Sequence, residues 1–181
     1  MVPGCDESLP PRDDPQGILQ ATLSVDEGVV VVTSDGRITH AGVITLTVRN
    51  KFNEVLQAES SLGGEIEVWM AEDPSVRAVV PIGKADLADQ GIAAFDQTTL
   101  RPDSPAVFSK QWSHTTTNGT PLWTFVGLEP VVTLGGERFC QSGPVSLVAR
   151  GSMKLFKNVA ALNTNQVRFT LIYQVFGITC D

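Results

Sequence analysis

From Val43 to Arg49 apolar and polar side chains alternate without interruption. Ile44, Leu46 and Val48 fall on one side, Thr45, Thr47 and Arg49 on the other. A period of two is what an extended backbone imposes, because successive side chains leave it on opposite faces; the segment therefore predicts a strand with one buried face. Glu65–Met70 repeats the arrangement, with Ile66, Val68 and Met70 inward and Glu65, Glu67 and Trp69 outward. Val145, Leu147 and Ala149 alternate with Ser146, Val148 and Arg150. The last long segment sets Val167, Phe169, Leu171, Tyr173 and Val175 against Arg168, Thr170, Ile172, Gln174 and Phe176. Weaker strands are expected over Ile18–Val25, Val29–Thr33, Ala78–Ile82, Ala106–Lys110, Leu122–Val126, Val131–Leu134 and Met153–Phe156. Between them stand Asp26-Glu27-Gly28, Ser34-Asp35-Gly36, Gly63-Gly64, Asn118-Gly119, Gly135-Gly136 and Asn163-Thr164-Asn165, residues that accept positive φ or cap a turn. One helical stretch is expected, Lys84–Gln90 closed by Gly91. Many short strands at such intervals predict an all-β chain folded as an antiparallel sandwich or barrel.

Leu100-Arg101-Pro102-Asp103-Ser104, followed by Phe108 and Trp112, resembles the Leu-x-Pro turn of bacterial immunoglobulin-like domains. In those domains a strand with a polar, Asn-containing end precedes the turn, and Val48-Arg49-Asn50 occupies that place. The resemblance implies an immunoglobulin-like β-sandwich and no function. The polar stretch Gln97–Thr120 reads either as an elaborate loop or as a junction between subdomains. One domain over 17–181 is preferred, since each half would have few strands with which to enclose a core.

Residues 1–16 read differently. Pro3, Pro10, Pro11 and Pro15 are interspersed with Asp6, Glu7, Asp13 and Asp14, a composition that predicts a flexible tether. Within it Val2-Pro3-Gly4-Cys5 resembles the lipobox of exported bacterial lipoproteins, in which a small residue precedes a cysteine that becomes the acylated first residue. That resemblance implies lipidation of Cys5, anchoring to a membrane surface, and a periplasmic or cell-surface location. The other reading of Cys5 is an ordinary exposed thiol in a flexible tail. Cys140 and Cys180 remain as an even pair. Export implies a disulfide between them, closing a loop of about forty residues and contributing about 4 kcal/mol; a cytosolic location implies two buried thiols.

Composition narrows function further. Apolar residues at 42% and charged residues at 18% suffice for a core and are too apolar for a disordered chain. No apolar run approaches the ~20 residues of a membrane-spanning helix. A net charge of -7 argues against a nucleic-acid partner.

Catalytic motifs are sparse. His40 and His114 stand far apart with no short-range ligand pair and read as solvated or edge-strand histidines. Ser142-Gly143 beside Cys140 reads as a turn and not a nucleophile elbow. Glu65 and Glu67 share a strand face beside Trp69, the one such carboxylate pair, and read as a solvated outer face. The expectation is accordingly no catalytic residue, no metal and no cofactor. Trp69, Ile172 and Phe176, apolar on outward faces, are the partner-binding candidates. The function expected is a non-catalytic cell-envelope lipoprotein serving as a binding or structural component of a larger assembly. Two alternatives are a subunit of an extracellular filament, joined through the apolar run Gly28–Val32, and a carbohydrate-binding module or enzyme using Trp69, Trp112 or Trp123.

Overall fold

The computed structural model describes residues 17–39, 42–58, 63–87, 99–157 and 159–180. Their strands are β1 (Leu19–Val25), β2 (Gly28–Val32), β3 (Gly42–Asn50), β4 (Leu56–Gln57), β5 (Gly63–Met70), β6 (Arg77–Gly83), β7 (Thr99–Leu100), β8 (Ala106–Trp112), β9 (Leu128–Val132), β10 (Arg138–Ser142), β11 (Val145–Lys154), β12 (Leu162–Asn163) and β13 (Val167–Phe176). One sheet has the order β1-β3-β8, antiparallel throughout, with Leu23 opposite Leu46 and Leu46 opposite Phe108. The other runs β6-β5-β11-β13, with β2 added in parallel along β13. The chain crosses between sheets from β3 to β5 and from β8 toward β11, the connectivity of an immunoglobulin-like sandwich.

The inward sets anticipated from alternation line the space between the sheets. Ile44, Leu46, Ile66, Leu147 and Tyr173 are fully buried, Val48, Val68, Phe169 and Val175 nearly so. One apolar cluster extends from Leu19 to Val175. Since each such side chain contributes roughly 1.5–3 kcal/mol on burial, the two-residue period is the main organiser of the fold.

β10 and β11 lie end to end along one edge of β13. Gln141 faces Gln174 and Val145 faces Leu171, four residues on one strand against three on the other. The extra residue makes a bulge at Ser142–Pro144, where Pro144 has no N–H to give and the buried Ser142 hydroxyl accepts the Tyr173 N–H at 2.9 Å. Beyond the bulge β10 pairs with β9 and extends the sheet past the sandwich.

Three of the expected turns share one construction. Thr33, Thr116 and Thr133 each accept an N–H from Gly36, Gly119 and Gly136, whose φ values are 78°, 82° and 80°. A type I turn followed by a left-handed residue is the three-residue hairpin loop, and that residue is glycine because a Cβ is strained there. In two of the loops the Thr side chain also accepts an N–H from the far strand, Thr120 on Thr116 and Glu137 on Thr133.

Several expectations are corrected. Gly63-Gly64 is not a turn. It lies in β5, where a Cβ on Gly64 would strike the Ser152 carbonyl and stand 2.9 Å from the Met153 Cα. Leu122–Val126 is a 3-10 turn over Leu122–Phe125, with Leu122 its buried residue and Trp123 packed part-buried against the core. Val131–Leu134 shifts back to β9, with Leu134 fully exposed in the following loop. Met153–Phe156 is not a separate strand: Met153 and Lys154 end β11, and Leu155 and Phe156 follow outside any strand. The helix expected over Lys84–Gln90 begins as a 3-10 turn, Lys84–Asp86, and the rest lies outside the described residues.

Asn50 joins the two parts of the Leu-x-Pro resemblance. Its buried amide donates to the carbonyls of Leu100 at 2.9 Å and Glu54 at 2.8 Å and accepts the Phe52 N–H at 2.8 Å. Asn50→Ala leaves three backbone groups without that partner and is expected to cost about 2 kcal/mol, read from the urea unfolding midpoint at unchanged m-value.

Candidate binding face

The sequence-predicted residues Trp69, Ile172 and Phe176 all lie on the outer face of the larger sheet, and all are half-buried. They do not form one patch. Trp69 stands between Arg77 on β6 and Val148 on β11, and Val148 stands beside Arg168 on β13. A row Arg77-Trp69-Val148-Arg168 therefore crosses four strands. Val148 is buried although it faces outward, and both Arg residues are exposed. In the next row Glu67 is tied to Arg150 at 2.8 Å, so the carboxylate pair Glu65 and Glu67 is split, one exposed and one ion-paired. Sequence alone placed Trp69 between acids on its own strand; the basic neighbours come from strands 8 and 99 residues away, and no local pattern signals them.

Ile172 and Phe176 lie farther along β13. Ile172 is opposite Val29 of β2, and the Phe176 ring stacks on Phe139 of β10 with centroids 5.0 Å apart. Each therefore has an apolar neighbour, exposed Val29 for Ile172 and half-buried Phe139 for Phe176.

The sheet edges bear on how a partner can attach. On β6, Thr117 Oγ1 accepts the Val79 N–H at 3.0 Å, Pro81 has none, and Asp86 accepts the Gly83 N–H at 2.9 Å. On β1, Asn165 accepts the Leu23 N–H at 3.1 Å, and on β8 Leu87 bridges to Phe108. β2 is bordered by its own hairpin, with Ile38 bridged to Val32 and the Thr39 N–H donating to Val31. β9 carries Pro130 at its centre. Edges blocked in these ways resist addition of a further strand. The run Gly28–Val32, expected as a strand given to a neighbour, instead lies in parallel on β13 with Val30 and Val32 buried.

His114 is where sequence reading failed most. Expected as a solvated or edge histidine, it is 1% exposed, at the left-handed φ of 54°. Its ring stacks on Trp112 at 4.6 Å and meets Tyr173 edge-on at 6.0 Å. The Gly42 N–H donates to Nε2 at 3.1 Å, which assigns the proton of the neutral ring to Nδ1, facing the Tyr173 oxygen at 3.5 Å. Burial pushes the His114 pKa down to about 4 and the Tyr173 hydroxyl upward. With His114, Trp112 and Tyr173 all buried, the group braces the two sheets and meets no solute from outside. Trp112 is thereby removed as a sugar platform, and Trp123 is half-buried against the core.

Cys140 and Cys180 are joined by a disulfide, with Cα atoms 5.7 Å apart. Cys5 and His40 lie outside the described residues. Among the described residues no cluster of three or more His, Cys, Asp or Glu is placed to hold a metal.

No protein-family model matches the chain, and no curated protein matches it. One solved structure, described as "AvmM Catalyzes Macrocyclization in Alchivemycin A Biosynthesis", is similar over 90% of this chain and 92% of that one, at 8% identity and a TM-score of 0.35. A likeness at that level carries no functional weight.

Proposed function

We propose that this chain is a non-catalytic cell-envelope lipoprotein, tethered through Cys5, that serves a larger assembly by presenting the outer face of its β5-β11-β13 sheet. The observation that carries the reading is the Cys140–Cys180 disulfide, a bond that persists in oxidising compartments outside the cytosol. The acidic, proline-rich segment after Cys5 suits a spacer between a membrane surface and a folded body. A buried core and chain-covered sheet edges leave broad faces, and not strand edges, as the surfaces for contact.

Mass spectrometry of the native protein, combined with cell fractionation, tests the proposal. The expected result is a mature chain beginning at an acylated Cys5, recovered from the membrane fraction with Cys140 and Cys180 oxidised. An unmodified Met1 in the cytosolic fraction would overturn it.

A further inference from the structure

We propose that the row Arg77-Trp69-Val148-Arg168 binds an anionic polysaccharide, a glycan carrying carboxylates on its rings. The inference rests on the binding role proposed above and names its ligand class. Three strand spacings separate Arg77 from Arg168, about 14 Å. Half-buried Trp69 is the apolar surface between them, and Val148 beside it is buried. Neither Arg77 nor Arg168 makes an ion pair among the described residues, whereas Arg150 in the next row is engaged by Glu67. Two exposed guanidinium groups flanking an indole suit a polymer whose rings lie on the aromatic surface and whose carboxylates meet the planar Arg forks.

The alternatives among anions fit less well. A peptide bound by strand addition needs an open edge, and the edges here are capped by Thr117, Asp86, Asn165, Ile38 and Pro130; an acidic peptide held by the Arg residues alone is the outcome that poly-L-glutamate tests. Nucleic acid is bound by a continuous basic patch or stripe, and two Arg residues about 14 Å apart do not make one. A uronate chain carries one charge per ring. Within the described residues acidic and basic residues balance.

The test is calorimetric titration of the whole chain with polygalacturonate and with alginate, against methyl-esterified polygalacturonate and poly-L-glutamate. Expected are binding of at least one uronate, weakening as salt is added, and binding at least tenfold weaker to both controls. Arg77→Gln and Arg168→Gln should each weaken uronate binding roughly tenfold, the loss of one charge-assisted hydrogen bond, with the melting temperature unchanged. Trp69→Ala should do the same; if that variant does not fold, the Arg variants decide. Absence of binding to either uronate overturns the proposal, as does binding that the Arg substitutions leave intact. Equal binding of the methyl ester removes the role of the Arg pair, and equal binding of polyglutamate assigns the face to acidic peptides; both overturn it. The lipid on Cys5 is read independently by mass, so failure here leaves the envelope reading standing, and failure there leaves the glycan result to be judged alone.

Discussion

Replacing Cys140 and Cys180 together by Ala is expected to lower the unfolding free energy by about 4 kcal/mol, the chain-entropy value for a loop of 40 residues. For a domain of this size that is a fall of roughly 10 °C in melting temperature. The bridge has a local role besides. Cys140 is fully buried in β10 opposite Val175, while Cys180 lies beyond the end of β13, so the bond holds the segment after Gly177 back over the outer part of the sheet. Urea unfolding of the oxidised protein, the reduced protein and the double variant measures both effects. A loss under 1 kcal/mol would mean that the segment is already held by packing and that the loop is not constrained in the unfolded chain.

Lowering the pH from 7 to 4 is expected to remove about 3 kcal/mol of stability through His114 alone. In the unfolded chain the imidazole takes a proton near pH 6.5, whereas the buried ring resists it until about pH 4, a difference near 2.5 units at 1.36 kcal/mol each. Between those values the unfolded state binds more protons, so stability falls as the pH falls and levels off below the folded value. Protonation also turns the Nε2 that accepts the Gly42 N–H into a donor, and the ring's other polar neighbour is the neutral Tyr173 hydroxyl, which supplies no charge to offset it. His114→Gln keeps an acceptor for Gly42 without titrating in this range, and should flatten the stability profile between pH 7 and 4. The lowered carboxylates Asp35 and Asp73, held down first by the hydroxyls of Thr33 and Ser75, act in a separate window: their contribution is present above 3.8 and is lost below it as they protonate. A profile equally steep in His114→Gln would assign the acid sensitivity elsewhere.

How far the site was legible differs residue by residue. Trp69 could be placed outward because Ile66, Val68 and Met70 must face the core and the pleat leaves Trp69 no other side. Its flanking Arg residues could not, because register between strands distant in the chain is set by turns and by packing of the whole sheet. The Asn50 contact to Leu100 was foreshadowed by a resemblance, yet the hydrogen bonds that realise it span fifty residues. Ser142 read as a turn and proved to be the acceptor that stabilises a bulge.

Local chemistry determined the strongly alternating strands, their core-facing residues, and the turns at Ser34-Asp35-Gly36, Asn118-Gly119 and Gly135-Gly136. Each of these follows from geometry repeated every two to five residues. Pairing order, the parallel placement of β2, the burial of His114 and the Arg-Trp-Val-Arg row were decided by tertiary structure alone. The reason is that a single polar residue in a short loop carries no periodicity, so its environment is set entirely by what the rest of the chain places around it.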